Sequence, residues 1–431
     1  MSELAILGGT PLRRRPFSAW PQYLPADGQR LQEVLESRHW GGFPVPSRLC
    51  GEFAERFAEM HGAKYGLCLS NGTIALIAAL QAVGVRFGDE VIVPAYTWDG
   101  TATAVLFAGA VPVFADVDPD TYCLDVESVR RVITPRTRAV IPVHLAMRFV
   151  DMDALLELAR EHDLKVIEDC AHAHGGQYKG RGAGSMGDIG CFSFQESKLM
   201  TAGEGGMVIT SNLEYFEHIQ SQVNCGRASI TDQYKQRVLG SNYRMTEFQA
   251  ALLIGQLEML PELARRRARS AQLLSEALAA IDGIRPMPAQ REITRETLYC
   301  YVFQYRAEDR GVPRDLFAAA LDAEGIRCDG RFYEAVYRSA LFYASPEISP
   351  QLRTDYSNVH CPVAERAAYH ESVWLPQFVL LGGDEDVDDI ARAVLKVMKN
   401  LDELGEADMA LAGAKAMSRA DRPKLERGRN Y

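Results

Sequence analysis

The chain has 431 residues, enough for roughly two or three domains, and 47% of them are hydrophobic, which supports a large buried core. A formal net charge of −10 argues against a nucleic-acid partner or an anionic membrane surface, since both favour basic proteins. No apolar run approaches a membrane span and no signal-peptide core opens the chain, while nine scattered cysteines without a C-x-x-C pair fit neither a disulfide framework nor a structural zinc site; a cytoplasmic protein is expected.

In chain order, the opening SELAILGGTPLRRRPF sets a short apolar patch before Arg13, Arg14 and Arg15, which read as a solvated basic strip. From about Tyr65 to Thr210, short β-type runs alternate with amphipathic helical stretches. YGLCLS leads into NGTIALIAALQAVG, EVIVP into TWDGTATAVLFAG, VPVFADV into DVESVRRVI, and RAVIPV into DMDALLELAREH, followed by KVIED. Strands joined by helices of this length imply βαβ crossovers and an α/β fold with a mainly parallel sheet. The runs are apolar throughout, as strands covered on both faces must be. Further on come the strand GGMVIT, the helix LEYFEHIQSQVN, and a long helical pattern from about Thr246 to Ala280 that Pro261 is expected to break. A second unit then reads as strand YCYVFQYRA, helix PRDLFAAALDAEG, strand IRCDG and a last helix around DVDDIARAVLKVMKNLDEL. The expected organisation is a large domain over residues 1–262, a smaller α+β domain over 263–404, and a flexible tail over 405–431, where an apolar stripe is lost.

Four places carry chemistry. Lys198 follows the buried-type strand Ile189–Phe194 and precedes a turn of small residues, Thr201 to Gly206, in which glycines let backbone approach a ligand closely. An ammonium delivered there is disfavoured, which is the condition for imine formation. A surface lysine is the commoner case. Asp169 ends the apolar strand in LKVIED, where open α/β sheets place ligand sites, although a helix cap is an ordinary alternative. Ser70-Asn71-Gly72-Thr73 joins a strand to a helix, so its free N–H groups suit a phosphate, and equally suit a plain turn. Trp98 lies just past a strand, able to stack on a planar ring or to pack in a core. A phosphate cradle, a stacking aromatic, a strand-end aspartate and a lysine together describe a site for pyridoxal 5′-phosphate (PLP), with the carboxylate keeping the pyridine nitrogen protonated. Glu168 alternates to the other face and reads as structural.

The motifs SNGTIAL, EVIVPAYTW, GAVPVFADVDPDTYCLD, PVHL, VIEDCAHAHGG, GDIGCFSFQESKLMTAGEGG and GSNYRMTEFQAALL resemble those of the DegT/DnrJ/EryC1/StrS family, from the N-terminal GGTP to about residue 400. That resemblance implies a fold-type-I aminotransferase that shares its active sites across a homodimer. It implies that Lys198 carries the cofactor as a Schiff base, Asp169 pairs with the ring nitrogen and Trp98 stacks on the ring. Gly72, Thr73 and Ser193 would then hold the phosphate, Asn242 would reach the neighbouring subunit's phosphate, and Arg244 would meet a substrate carboxylate. His172 stands where many relatives carry glutamine, near the ring; a direct catalytic part and a histidine satisfied by its own hydrogen bonds are equally open. PVHLAMRF departs from the family's PVHLYG at Ala146 and Met147, which alters a substrate wall.

Segments such as TATAVL, VIEDCAHAHG and CPVAERA lean toward the glutamine-dependent enzymes that aminate scyllo-inosose-type cyclitols, so the expected partners are glutamine or glutamate as donor and a keto-cyclitol or keto-sugar as acceptor. KLMTAGEGG also resembles 3-amino-5-hydroxybenzoate synthases. A PLP-bound regulatory subunit without turnover is the non-enzymatic alternative, against which the Lys198–Asp169 pair speaks. Gly182 to Gly187 matches G-x-G-x-x-G but leads into a strand rather than a helix, so it is no dinucleotide fingerprint. The acidic and histidine run from Glu168 to His174 is too close in sequence to encircle a metal, and none is expected. Tyr299, Cys300 and Tyr301 read as strand core.

Overall fold

The computed structural model describes residues 3–42, 47–146, 148–227, 238–307, 310–343 and 354–411. Helices α1 (Pro25–Ser37) and α2 (Arg48–His61) precede the main alternation. That alternation runs β1 (Tyr65–Leu69), α3 (Gly72–Ala82), β2 (Glu90–Pro94), α4 (Gly100–Phe107), β3 (Val111–Ala115), α5 (Val126–Val132), β4 (Thr137–Val140), α6 (Met152–Glu161) and β5 (Lys165–Asp169). A two-residue hairpin, β6 (Gln177–Tyr178) and β7 (Arg181–Gly182), leads to β8 (Ile189–Ser193), β9 (Gly206–Thr210) and α7 (Leu213–Val223). The long α8 (Glu247–Ala279) then passes to β10 (Ile284–Pro286), β11 (Ile293–Arg295), β12 (Cys300–Tyr305) and α9 (Arg314–Ala323). Short helices α10 (Ala340–Tyr343) and α11 (Pro362–Arg366), strand β13 (Ser372–Pro376), and helices α12 (Asp384–Lys399) and α13 (Leu401–Leu411) complete the described chain.

Seven strands form the main sheet in the order β1-β9-β8-β5-β4-β2-β3. The pairs from β8 to β3 are parallel, as the helical crossovers require, while β9 runs antiparallel between β8 and β1. Every residue of β2 and β9 is buried, which is why these runs tolerate no polar alternation. The smaller unit carries an antiparallel sheet, β10-β12-β13. β11 leaves that unit to pair with β6, tying it to the large one.

Several expectations are corrected. Pro261 does not break α8: the helix runs on through the expected 262/263 boundary, because Leu257, Leu260, Leu263 and Ala264 around it are buried. Packing of that face against α1, α2 and α12 outweighs a proline cost of about 3 kcal/mol. IRCDG forms no strand. Asp329 alone makes a bridge to Trp374, and Gly330 is turned in against the Arg314 side chain. The basic strip is not wholly solvated: Arg13 is buried and its Nη1 donates to Asp386 and Asp389, both at 2.8 Å, while Arg15 pairs with Glu385 at 2.6 Å. The chain remains helical to Leu411, past the expected start of the tail, and residues 412–431 lie outside the described residues. Met147 of the altered PVHL segment also lies outside them.

The G-x-G-x-x-G segment does bind an anion, but one from its own chain. The N–H groups of Gly184, Met186 and Gly187 donate to the Glu168 carboxylate at 2.8, 2.7 and 2.6 Å. His144 Nε2 completes the set at 2.9 Å. Glu168, His144 and Cys170 offer ligand atoms within 4.8 Å of one another, yet the carboxylate is already saturated by these four donors and all three residues are buried. Glu168 is thus structural, as its alternation predicts. All nine cysteines are free thiols, and among the described residues no helix is long and apolar enough to cross a membrane.

Candidate active site

The carboxyl ends of β5 and β8 and the first turns of α3 and α4 converge on one point. At β5, Asp169 is buried, its Oδ2 accepting from Thr101 Oγ1 at 2.9 Å and its Oδ1 from the Ala171 N–H at 3.1 Å. Both donors fix the carboxylate's orientation, and burial raises its pKa above the ordinary range. Thr101 is the second residue of α4 and was not visible as a site residue in the sequence.

β8 ends at Ser193, and the loop to β9 carries Lys198. The Phe194 N–H donates to the Gly205 carbonyl at 2.8 Å and Thr201 Oγ1 to the Phe194 carbonyl at 3.0 Å, so the loop closes on itself. Lys198 Nζ stands 4.5 Å from the centre of the Tyr299 ring. Burial pushes its pKa down to about 8, against the opposing pull of Asp169. The amine is therefore substantially free at mildly alkaline pH, which a solvated lysine is not. Tyr299 is corrected from strand core to site wall: it precedes β12, and its hydroxyl lies 2.8 Å from Ser197 Oγ.

His172 stacks on the other part of this wall, its ring 3.9 Å from that of Tyr299 at 23°. Its Nδ1 accepts from the Ala146 N–H at 3.2 Å, and its Nε2 lies 3.3 Å from the Tyr333 hydroxyl. Burial, with the Lys198 charge nearby, drops its pKa well below the ordinary value, so it is neutral. Tyr333 carried no signal in the sequence.

Gly72 opens α3 directly against the end of β8. A Cβ there would stand 2.8 Å from the Ser193 Cβ, so only glycine lets α3 begin this close to the end of β8. Asn71 caps this helix by accepting from the Ile74 N–H at 2.9 Å, which leaves the N–H groups of Gly72 and Thr73 without helical partners. Thr73 Oγ1 faces the first residue of α4, 3.4 Å from where a Gly100 Cβ would be. Trp98 leans over that same glycine and is 56% exposed, a bare aromatic face at the rim. Thus Lys198, Asp169 and His172 are brought together on one side, and Gly72, Thr73, Ser193 and Trp98 on the other. Asn242 is exposed, on a segment joined to the cradle through the Ser70 N–H, which donates to the Tyr243 carbonyl at 2.8 Å. Arg244 is turned to Asn224, donating to its Oδ1 at 2.9 Å.

Comparison with known proteins places the chain in a family. The model of the DegT/DnrJ/EryC1/StrS aminotransferase family matches residues 26–395. The chain belongs to that family. Among similar proteins, this aminotransferase is 46% identical over 413 residues to one from Streptoalloteichus tenebrarius assigned as an L-glutamine:3-amino-2,3-dideoxy-scyllo-inosose aminotransferase, covering 94% of this chain and 99% of the relative. It is 39% identical over 425 residues to the L-glutamine:2-deoxy-scyllo-inosose aminotransferase of Micromonospora echinospora, covering 94% and 100%. The crystal structure of 3-amino-5-hydroxybenzoic acid synthase superposes with a TM-score of 0.82 at 34% identity, over 90% of this chain and all of that one. The fold is that of a type-I aminotransferase.

Proposed function

We propose that this aminotransferase holds pyridoxal 5′-phosphate and moves an amino group from glutamine to a keto-cyclitol, as the relatives named above suggest for antibiotic aminocyclitols. The observation that carries the reading is the pairing of Lys198, an amine with its pKa near 8, with a fixed and buried Asp169 in one site. The residues fit the cofactor: the N–H groups of Gly72 and Thr73 at the start of α3, beside Ser193, suit a phosphate, and the exposed Trp98 face suits a planar ring. When bound, PLP supplies an electron sink that stabilises negative charge at the donor's α-carbon. Gly72, Thr73 and Ser193 would hold the phosphate, Trp98 the ring and Asp169 its nitrogen. Lys198 Nζ would anchor the cofactor and is the base placed to move the proton of the donor's α-carbon. His172, neutral and engaged at both nitrogens, orients neighbouring groups rather than carrying that proton. Asn242, exposed beside the cradle, is free to reach a second copy, so a homodimer completes the site, and Arg244 is the cation offered to a substrate carboxylate. The setting is cytoplasmic.

The test is purified protein loaded with PLP, mixed with glutamine and then with a panel of cyclic ketones. A spectral change with glutamine that reverses on adding a keto-cyclitol is expected. No change with any amino donor would favour a regulatory subunit. Formation of an aminohydroxybenzoate, with no reversal by any keto-cyclitol, would favour the 3-amino-5-hydroxybenzoate synthase reading, for which the structural likeness speaks.

A further inference from the structure

Among the described residues, nothing accepts the hydroxyl proton of Tyr333. Its ring is buried among Tyr96, Phe332 and Trp374. The Ala146 N–H donates to His172 Nδ1, so that nitrogen carries no proton. A neutral imidazole has one N–H, which must then be on Nε2, pointing at the Tyr333 oxygen 3.3 Å away. The tyrosine is the acceptor in this contact. Its own O–H is left to donate elsewhere, and among the described residues no acceptor meets it. Burial moves the phenol pKa well above its ordinary value, so the proton stays in place at neutral pH. The arrangement is braced from behind: Ala146 sits at φ 54°, and its carbonyl accepts from the Tyr299 N–H at 3.0 Å.

We propose that Tyr333 determines specificity for the acceptor, donating its O–H to a hydroxyl oxygen carried on the ring of the cyclic ketone, and that His172 is the positioning residue that turns this proton into the site. The inference rests on the reading of the acceptor as a hydroxylated ring. Tyr333 comes from the segment after α9, whereas the cradle of Gly72, Thr73, Ser193 and Trp98 is built by the large unit. Phe332, stacked on Trp374 at 4.6 Å, and Tyr299 lie beside it. Aromatic faces with one oriented hydroxyl suit a polyol ring.

The experiment uses PLP-loaded holoenzyme and Tyr333→Phe, which keeps the ring. Expected is a fall of roughly 5- to 50-fold in kcat/KM for the ketone, with the glutamine half-reaction and the pH titration of the cofactor band unchanged. In a panel of ketones each lacking one hydroxyl, one analogue should cost wild type a similar factor and cost Tyr333→Phe nothing more. His172→Leu should reproduce the loss, and His172→Gln, which keeps an N–H donor, should recover part of it. An equal fall for glutamine, a shifted titration of the cofactor band, or unchanged ketone kinetics would each overturn the proposal. Wild type that aminates no cyclic ketone would instead sink the acceptor reading, seen before any variant is made, and this inference with it.

Discussion

Asp169 is buried and Lys198 half-buried, and desolvation penalises the charged form of each, raising one pKa and lowering the other. Lys198→Ala is expected to lower glutamine-dependent turnover by at least about 1,000-fold and to remove any borohydride-reducible absorbance band, checked by steady-state rates and spectra. Because the folded pKa of Lys198 lies near 8 against an ordinary 10.5, the folded state binds the proton less tightly than the unfolded chain. The stability this group contributes is therefore complete above pH 10.5 and lost as pH falls through 8, and denaturant titrations of cofactor-free wild type against Lys198→Met should differ in that window. Asp169→Asn keeps one acceptor oxygen, for either Thr101 or the Ala171 N–H, and loses the charge. Turnover should drop roughly 100- to 1,000-fold with bound cofactor retained, measured as rate per cofactor. Lys198 and Asp169 were legible because each sits at a strand end beside small residues. Tyr299 was not, since adjacency to the apolar β12 hides a hydroxyl that turns to Ser197. Tyr333 was invisible for a plainer reason: its partner His172 lies 161 positions away, and no local pattern encodes that meeting.

Two helix starts, those of α3 and α4, frame the cradle, and their closeness depends on missing side chains. Gly72→Ala places a methyl against Ser193 and should weaken cofactor retention about tenfold or more while leaving α3 intact, checked by equilibrium dialysis and circular dichroism. The parallel strands and their helices could be read from apolar runs alone, because burial on both faces leaves a strong signature. The antiparallel course of β9 could not: a fully buried strand looks the same in either direction. Pro261 misled for the converse reason, as a local penalty of a few kcal/mol is small beside the packing of a 33-residue helix on three neighbours. The failure of IRCDG to become a strand reflects Gly330 and the turn it permits, which cut the pairing to a single bridge.

Across the whole molecule, the N-terminal segment is clasped to α12. Arg13 is almost wholly buried between Asp386 and Asp389, whereas Arg15 and Glu385 remain largely in solvent. Arg13→Ala would remove the buried guanidinium from Asp386 and Asp389 and leave them only the half-exposed Arg15, at 3.0 and 3.1 Å; it should cost about 3 kcal/mol, read as a lower denaturant midpoint, against about 1 kcal/mol for Arg15→Ala. From sequence these arginines resembled any basic strip, because their acidic partners arrive near the other end. That distance has a consequence during synthesis. Asp386 leaves the ribosome 373 residues after Arg13, a delay of roughly 20 to 75 s at common elongation rates. Until then the nascent protein carries an unmatched guanidinium where the finished one has a lock, so closure of the amino terminus must be among the last events of its biogenesis.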